Sequence, residues 1–543
     1  MTWRYLTIFL ALLSQTSDIM AFDSGQKTEQ RVDSLGWRRI YDMRSTLGQL
    51  HSENAAWLTD FSNRTISEVK LSGKMNGGDF KNYFTSSSEL SFGAEAASIS
   101  RLSKRVVLEG KVGYFQTHSS ALAGSAFIDP TQTPFDIVEF TDENRGDKTI
   151  EQYSLLGRMG VEVSRNIALG ASFSYVAANY AKFKDLRHTN SLMDMDLTLG
   201  TLFKLGKGID IGLDYAYSRR IESIGFNTYG TQDKTYVSLL SYGAFFGKQE
   251  VFGDMGYTKS GETKPLLDVC HGGAIQISWE ITENMRWFNE VGFRTRNGYY
   301  GNPSQSTVVY AEHEGMEYYY KGVLNTTHSL NRHNVFFDLR QYGVSTQENV
   351  YAFRNDEAGL DYIEYLGQRE VGNRKLFTTS LAYEGYFHER NGLARWQTRA
   401  MVSYNNRAIH ASNFPDYRKQ NLNWWGIEAS ATRNIVSKEK NCYSLSLLAL
   451  YGGGVGKPYN DGKYVQTAEG SALTYMRNDL LYQEWEYLTA TQLGYGAAFE
   501  YSRHLGKAIL NIAFSGNVRH ALNTQYLANP MRYELALNIG CRF

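Results

Sequence analysis

The sequence predicts an all-β fold, a transmembrane antiparallel β-barrel of roughly eighteen strands, with about fourteen to eighteen admitted by the pattern. Three observations predict it. The last segment alternates without a break, with Tyr533, Leu535, Leu537, Ile539, Cys541 and Phe543 on one face and Arg532, Glu534, Ala536, Asn538, Gly540 and Arg542 on the other. A strand does this because successive side chains point to opposite faces. The same alternation recurs along most of the chain. Finally, the connections between alternating segments run short, then long, as they do when tight turns close one end of a barrel and loops cover the other.

Composition agrees. Tyr numbers 38 and Phe 28, while Pro numbers only 7. Tyrosine and phenylalanine suit long paired strands, and proline would interrupt their ladders. Gly numbers 50, which suits tight turns and close packing inside a barrel. Lys and Arg together number 56, as do Asp and Glu, so the formal net charge is zero and no global field for nucleic acid exists. Mean hydropathy is −0.41. Beyond the N-terminus no run of about 18 apolar residues appears, which excludes a helical membrane protein.

Taken in order, the chain begins like a secretory signal. Arg4 supplies the positive charge, Tyr5 to Leu13 the apolar stretch, and Ala21, with Ile19 before it, a cleavage point, so residues 1–21 are expected to be removed. Residues 22–65 are expected to form an N-terminal segment, periplasmic or lumenal, helix-compatible from Trp37 to Leu58, with Ile40, Met43, Leu47 and Leu50 near helical spacing. Residues 66–543 are assigned to the barrel, starting with a strand near Val69–Met75 that should lie beside the last one. Clear strands follow, among them Val106 to Tyr114, Tyr153 to Val161, Ile167 to Tyr175, Ile209 to Tyr217, Trp396 to Tyr404, Tyr443 to Tyr451 and Ala508 to Val518. No helical interlude is expected between them. Short turns are expected at Ser164–Asn166, Lys204–Gly208, Ile281–Asn284, Ser329–His333 and Arg503–Gly506. Long irregular stretches are expected at 118–149, 221–266, 347–374 and 453–484. Closure follows from the backbone, because an open sheet edge in hydrocarbon leaves its amides and carbonyls unpaired.

The second face of each strand should line the lumen. It carries Arg286, Glu290, Arg294, Asp338, Arg340, Arg399 and Glu428, with Arg158, Glu162, Glu500, Arg519 and Arg532. Charges of both signs would cost several kcal/mol each facing lipid, which fixes each strand's orientation. They suit a polar path for a solute, or an ion-paired lumen that braces the wall.

Among candidate sites, Asp185, Arg187 and His188 crowd a short external loop that either binds an anion, sugar or partner or is simply solvated. Gly452 to Lys457 superficially matches a phosphate-binding loop. Tyr451 and Pro458 break the pattern, and a flexible loop entry is expected instead. His residues are scattered, with no metal-ligand spacing, and neither metal nor cofactor is expected. His328 and His333 flank a turn. Trp424 with Trp425, and Tyr318 to Tyr320, fit interface positions of a membrane barrel. Cys270, Cys442 and Cys541, widely spaced and odd in number, argue against a disulfide framework.

The terminal strand ending on Phe543 resembles the closing strand of Gram-negative outer-membrane β-barrels, in which the final aromatic residue is an assembly signal. That resemblance implies roles for Tyr533 and Phe543, residence in the outer membrane, contact with its lipids, and handling by the barrel-assembly machinery. With its signal peptide and tyrosine-rich strands, the whole chain resembles the large barrels of unknown function in Bacteroidota-type outer membranes. No plug domain of about 100 residues precedes the strands, unlike TonB-dependent receptors. Glu53-Asn54-Ala55-Ala56-Trp57-Leu58 resembles the Asn-Pro-Ala segment of hydrocarbon-channel barrels similar to the fatty-acid transporters, with Ala55 in place of the proline. His118-Ser119 resembles the His-Ser-Asn of outer-membrane lipid hydrolases, with Ser120 in place of the Asn and no acid to complete a triad. The expected function is passage of a small solute through the lumen. The alternatives are a scaffold barrel that docks a surface lipoprotein or transporter and, last, a lipid hydrolase. A non-enzyme is expected.

Overall fold

A computed structural model describes residues 37, 39–62, 65–230, 234–304, 307–355, 361–437, 440–466 and 473–543. The signal sequence predicted for residues 1–21 lies outside them. Eighteen antiparallel strands among the described residues form one closed barrel, from Thr65–Gly78 to Met531–Arg542, each paired with its neighbour in sequence. The first and last strands close the ring in the register Val69 to Cys541 and Met75 to Leu535. Phe543 extends that pairing, exchanging backbone hydrogen bonds with Ser67 at 2.8 and 3.0 Å.

At one end, two- to four-residue connections such as 163–166, 207–208, 283–284 and 506–507 join the strands. At the other end lie the long connections 123–145, 228–262 and 456–490, so both chain termini of the barrel sit at the turn end. Three expectations fail here. The described parts of the stretch 347–374 are strand, not loop. The strands Asn331–Asn355 and Asp361–Phe387, 25 and 27 residues long, run through it as one extended hairpin. Helix is also present, because Asn478–Thr489 forms a 12-residue α-helix inside the third long loop. The glycines expected to open a flexible loop, Gly452 to Gly454, belong instead to the strand Asn441–Val455.

The outer wall is apolar. Leu155, Leu199, Ile275, Val291, Phe293, Leu447 and Leu537 are among its exposed large side chains. A continuous belt of that size is solvated by lipid, not water. Tyr318 and Trp425 stand on this outer face, but Tyr319 and Trp424, one residue away, turn inward, so neither group as a whole lines the membrane interface.

The lumen is occupied from both ends. At the turn end sits the N-terminal segment, a seven-residue helix Ile40–Thr46 followed by 3-10 turns at Gly48–His51 and Ala55–Asp60. At the loop end sits a second insert. Its frame is a four-stranded sheet of Asp136–Glu139, Val237–Gly243, Phe246–Val251 and Tyr475–Met476, contributed by all three long loops. The largest apolar core of the molecule lies there. Phe127, Phe135, Leu240, Phe246 and Tyr257 of the loops pack on Leu266, Tyr300, Tyr310 and Val371 of the wall. The inward face is therefore not polar throughout, as the sequence suggested, but turns apolar where the loop insert rests on it.

Candidate functional site

The N-terminal segment docks because the wall gives it room. Gly160, Gly170 and Gly200 stand directly opposite one another on three successive strands, on the inward face. A Cβ at Gly170 would lie 2.0 Å from the backbone nitrogen of Ala56, and one at Gly160 2.7 Å from the carbonyl oxygen of Ala55. Only a side chain of hydrogen lets the two backbones approach so closely. On this bed Asn54 is the central contact. Its Nδ2 donates to the Thr201 carbonyl at 3.0 Å and to Gln276 Oε1 at 2.9 Å, while its Oδ1 accepts from the Ala56 N–H at 3.0 Å. Trp57 lies edge-on to Phe288, with ring centroids 5.6 Å apart, and is fully buried.

Wall charges hold the segment as well. Ser52 Oγ donates to Glu290 at 2.5 Å, and Arg158 donates to the Ser52 carbonyl at 2.5 Å. Arg294 pairs with Glu53 at 2.5 Å, and Glu109 pairs with both Arg44 and Arg158. Tyr41 donates to Glu384 at 2.5 Å, and Arg399 pairs with the same carboxylate at 3.2 Å. His51, on the segment, is mostly enclosed, and burial pulls its imidazole down to about 4 from the usual 6.5.

All seven residues proposed for the lumen lie on the inward face, opposite the exposed apolar side chains of their own strands. They divide by role. Glu290 and Arg294 bind the N-terminal segment directly, whereas Arg286 pairs with Glu280 at 3.3 Å and Arg340 with Glu317 at 2.6 Å along the wall. Asp338 and Glu428 share that face.

Beneath the loop insert is a cavity of about 260 Å³. Its floor and sides come from four neighbouring strands, which contribute Arg340, Tyr342, Arg374, Leu376, Arg407 and Trp424; its roof comes from Pro134, Phe135 and Asp136 of the insert. Arg407 grips Glu484 of the helix Asn478–Thr489 through both terminal nitrogens, at 3.1 and 2.8 Å. Asp136 accepts from Ser125 Oγ at 2.5 Å and Tyr83 OH at 2.7 Å, yet burial still pushes its carboxyl upward. Arg374 donates to the Thr133 carbonyl at 2.9 Å.

The other candidates are dispersed. Asp185 accepts from the backbone N–H groups of Tyr229 and Gly230 and pairs with Arg187, whose guanidinium lies 4.5 Å over the Tyr229 ring. His188 is buried against Asn190 at 2.9 Å, and Arg187 and His188 begin the strand Arg187–Gly206 instead of lying in a loop. His118 contacts Thr149 at 3.1 Å, whereas Ser119 reaches toward Glu89 at 3.4 Å. Adjacent strand residues point to opposite faces, so no His–Ser pair forms. No group of three or more potential metal ligands occurs among the described residues, and the three cysteines are free. The cavity itself was missed in the sequence. Its arginines come from strands spread over nearly 70 residues (Arg340 to Arg407), and only pairing brings them together. The glycine bed left a signal, since glycines 160, 170 and 200 all fall on inward positions.

Residues 55–543 match the model of a family described as "Family of unknown function (DUF6850)". The chain belongs to this family. No curated protein matches the chain. Among solved structures, it is similar to BauA, the ferric preacinetobactin receptor from Acinetobacter baumannii, with 9% identity over 88% of this chain and 80% of that one, and a TM-score of 0.40. It is similar to the outer membrane transporter YddB from Escherichia coli, with 7% identity over 88% and 81% of the two chains and a TM-score of 0.40. It is also similar to the CymD monoaromatic hydrocarbon channel, with 9% identity over 92% of each chain and a TM-score of 0.31. None of these values reaches the level at which a function transfers between proteins.

Proposed function

We propose that this member of the DUF6850 family is an outer-membrane β-barrel of a Gram-negative bacterium that passes a small solute through its lumen. The observation that carries this is the way the lumen is filled. Wall side chains do not pack it shut. Two inserts occupy it instead, one held by a glycine bed, polar contacts and small apolar clusters and the other chiefly by a large apolar core. Inserts of that kind can shift while the hydrogen-bonded wall stays intact. In this reading the turn end faces the periplasm, residues 1–21 are the cleaved export signal and residues 39–62 are a lumenal segment. Tyr533 and Phe543 serve recognition by the barrel-assembly machinery. Single-channel recordings of the full chain in planar bilayers test it. Discrete current steps in salt, or solute-driven swelling of proteoliposomes, are expected; a barrel that is silent in both assays overturns the proposal.

A second reading, a scaffold that docks a surface lipoprotein or transporter, is favoured by one feature of the rim. Phe414 and Tyr464 stack with centroids 6.5 Å apart and are about half exposed, beside Tyr417 and His410. Exposed rings of this kind commonly anchor interfaces. Gentle solubilisation followed by affinity purification should then recover a stoichiometric partner that Phe414→Ser with Tyr464→Ser releases.

A further inference from the structure

We propose that the cavity beneath the loop insert binds a small organic anion with an apolar body, held by Arg374 on the strand Asp361–Phe387. The inference deepens the passage reading, on which it rests, by naming the chemical class of solute.

Three arginines line the cavity. Arg340 and Arg407 each have a carboxylate partner, Glu317 and Glu484. Arg374 has none within ion-pair distance among the described residues, and its hydrogen bonds go to neutral groups, the Thr133 carbonyl at 2.9 Å and the Tyr342 hydroxyl. A guanidinium carries five N–H donors in a planar fork suited to a carboxylate. The remaining acid on the cavity wall, Asp136, cannot answer it. It is buried in the insert, bonded to Ser125 and Tyr83, and burial favours its neutral form. A half-enclosed cation without a counter-charge is unfavourable, and an entering anion removes that cost.

The rest of the lining restricts the anion. Phe135, Leu376, Ile409, Trp424 and Leu488 present apolar surface around the arginine. A bare, strongly hydrated ion would lose its water against that surface without recompense. A molecule with one charged end and a compact apolar body meets both kinds of wall, the usual composition of a small-molecule site. The volume, about 260 Å³, suits a single substituted ring, since a cavity of roughly 150 Å³ accepts benzene.

The test is isothermal titration of the purified full-length barrel with sodium benzoate, with neutral benzamide as the uncharged isostere and inorganic phosphate as the bare anion. Saturable binding of benzoate is expected, at least about tenfold tighter than either control. Arg374→Gln should weaken benzoate at least about tenfold and leave benzamide unchanged. A heat-dependent gel shift reports whether the variant barrel is folded. Should it not be, salt titration of the unaltered protein replaces it, with benzoate affinity falling as sodium chloride rises and benzamide indifferent. Benzamide or phosphate binding as tightly as benzoate overturns the proposal, as does a folded Arg374→Gln barrel of unaltered affinity, or no benzoate binding at millimolar concentration. Current or flux without benzoate binding sinks the anion site alone, whereas binding without any flux sinks passage and leaves the site.

Discussion

The two inserts fill the same barrel with different balances of contact. The N-terminal segment at the turn end adds backbone closeness and polar contacts to two small apolar clusters around Leu58 and Trp57: glycines 160, 170 and 200 lie beneath Asn54 to Ala56, with Ser52, Glu53 and Arg44 on wall charges. The loop insert touches the wall chiefly through rings and aliphatic side chains, with Phe135 meeting Tyr300 of the wall at a centroid distance of 5.3 Å and Phe127 and Tyr257 of the insert at 5.7 and 5.5 Å. The difference matters because the two kinds of contact respond to different perturbations. Apolar burial is insensitive to pH and to small shifts, whereas hydrogen bonds and tight backbone contacts fail once geometry or protonation changes. The loop insert is also tied into the wall by three separate loops. The N-terminal segment is expected to be the more readily released of the two.

The largest expected effect comes from hollowing the loop insert. Phe135→Ala should cost that insert about 3–5 kcal/mol, the range for truncating a buried aromatic side chain. Hydrogen exchange should show faster exchange in 236–251 and unchanged protection in 40–60. Equal loss in both would mean that the inserts act as one body.

Gly170→Val attacks the other side of the comparison. Its first side-chain atom meets the backbone of Ala56, which no rotamer can relieve. A cost of about 1–3 kcal/mol is expected, confined to the N-terminal segment. Protease should cut residues 40–60 in this variant and spare the loop insert. If channel activity is gated from the turn end, open probability should rise in the same variant. Combined with Phe135→Ala, the two costs should add, because the sites share no contact.

The smallest effect is titratable. The docked His51 takes its proton only near pH 4, against 6.5 for the unperturbed group. Between those values protons bind the released form more strongly, so docking weakens as pH falls from 6.5 towards 4 and is insensitive to His51 above that window. Protection of residues 40–60 should decline in that range, and His51→Gln should remove that part of the decline. A variant as pH-sensitive as the unaltered chain would show that another group carries the effect.

Much of the wall was legible beforehand. Period-two alternation located its strands, the short connections its turns, and the pairing of Val69–Met75 with the last strand its closure, because each depends on neighbours in sequence or on the rule that no edge survives in lipid. The hairpin through 347–374 was misjudged as a loop. Beyond the membrane both its faces meet water or other loops, so its alternation fades while its backbone ladder continues. The helix Asn478–Thr489 was missed for a related reason. It is short, and it packs inside a loop where no periodic neighbour frames it.

The sequence by itself determined that the chain is a barrel, which face of each strand meets lipid, and that charges of both signs look inward, since these follow from local periodicity and the cost of charge in hydrocarbon. Tertiary structure alone decided that both ends of the lumen are filled, that Glu290 and Arg294 grip the N-terminal segment, and that Arg374 stands without a carboxylate beside Trp424. Those arrangements join residues up to hundreds of positions apart, and no local pattern records who meets whom across a closed sheet.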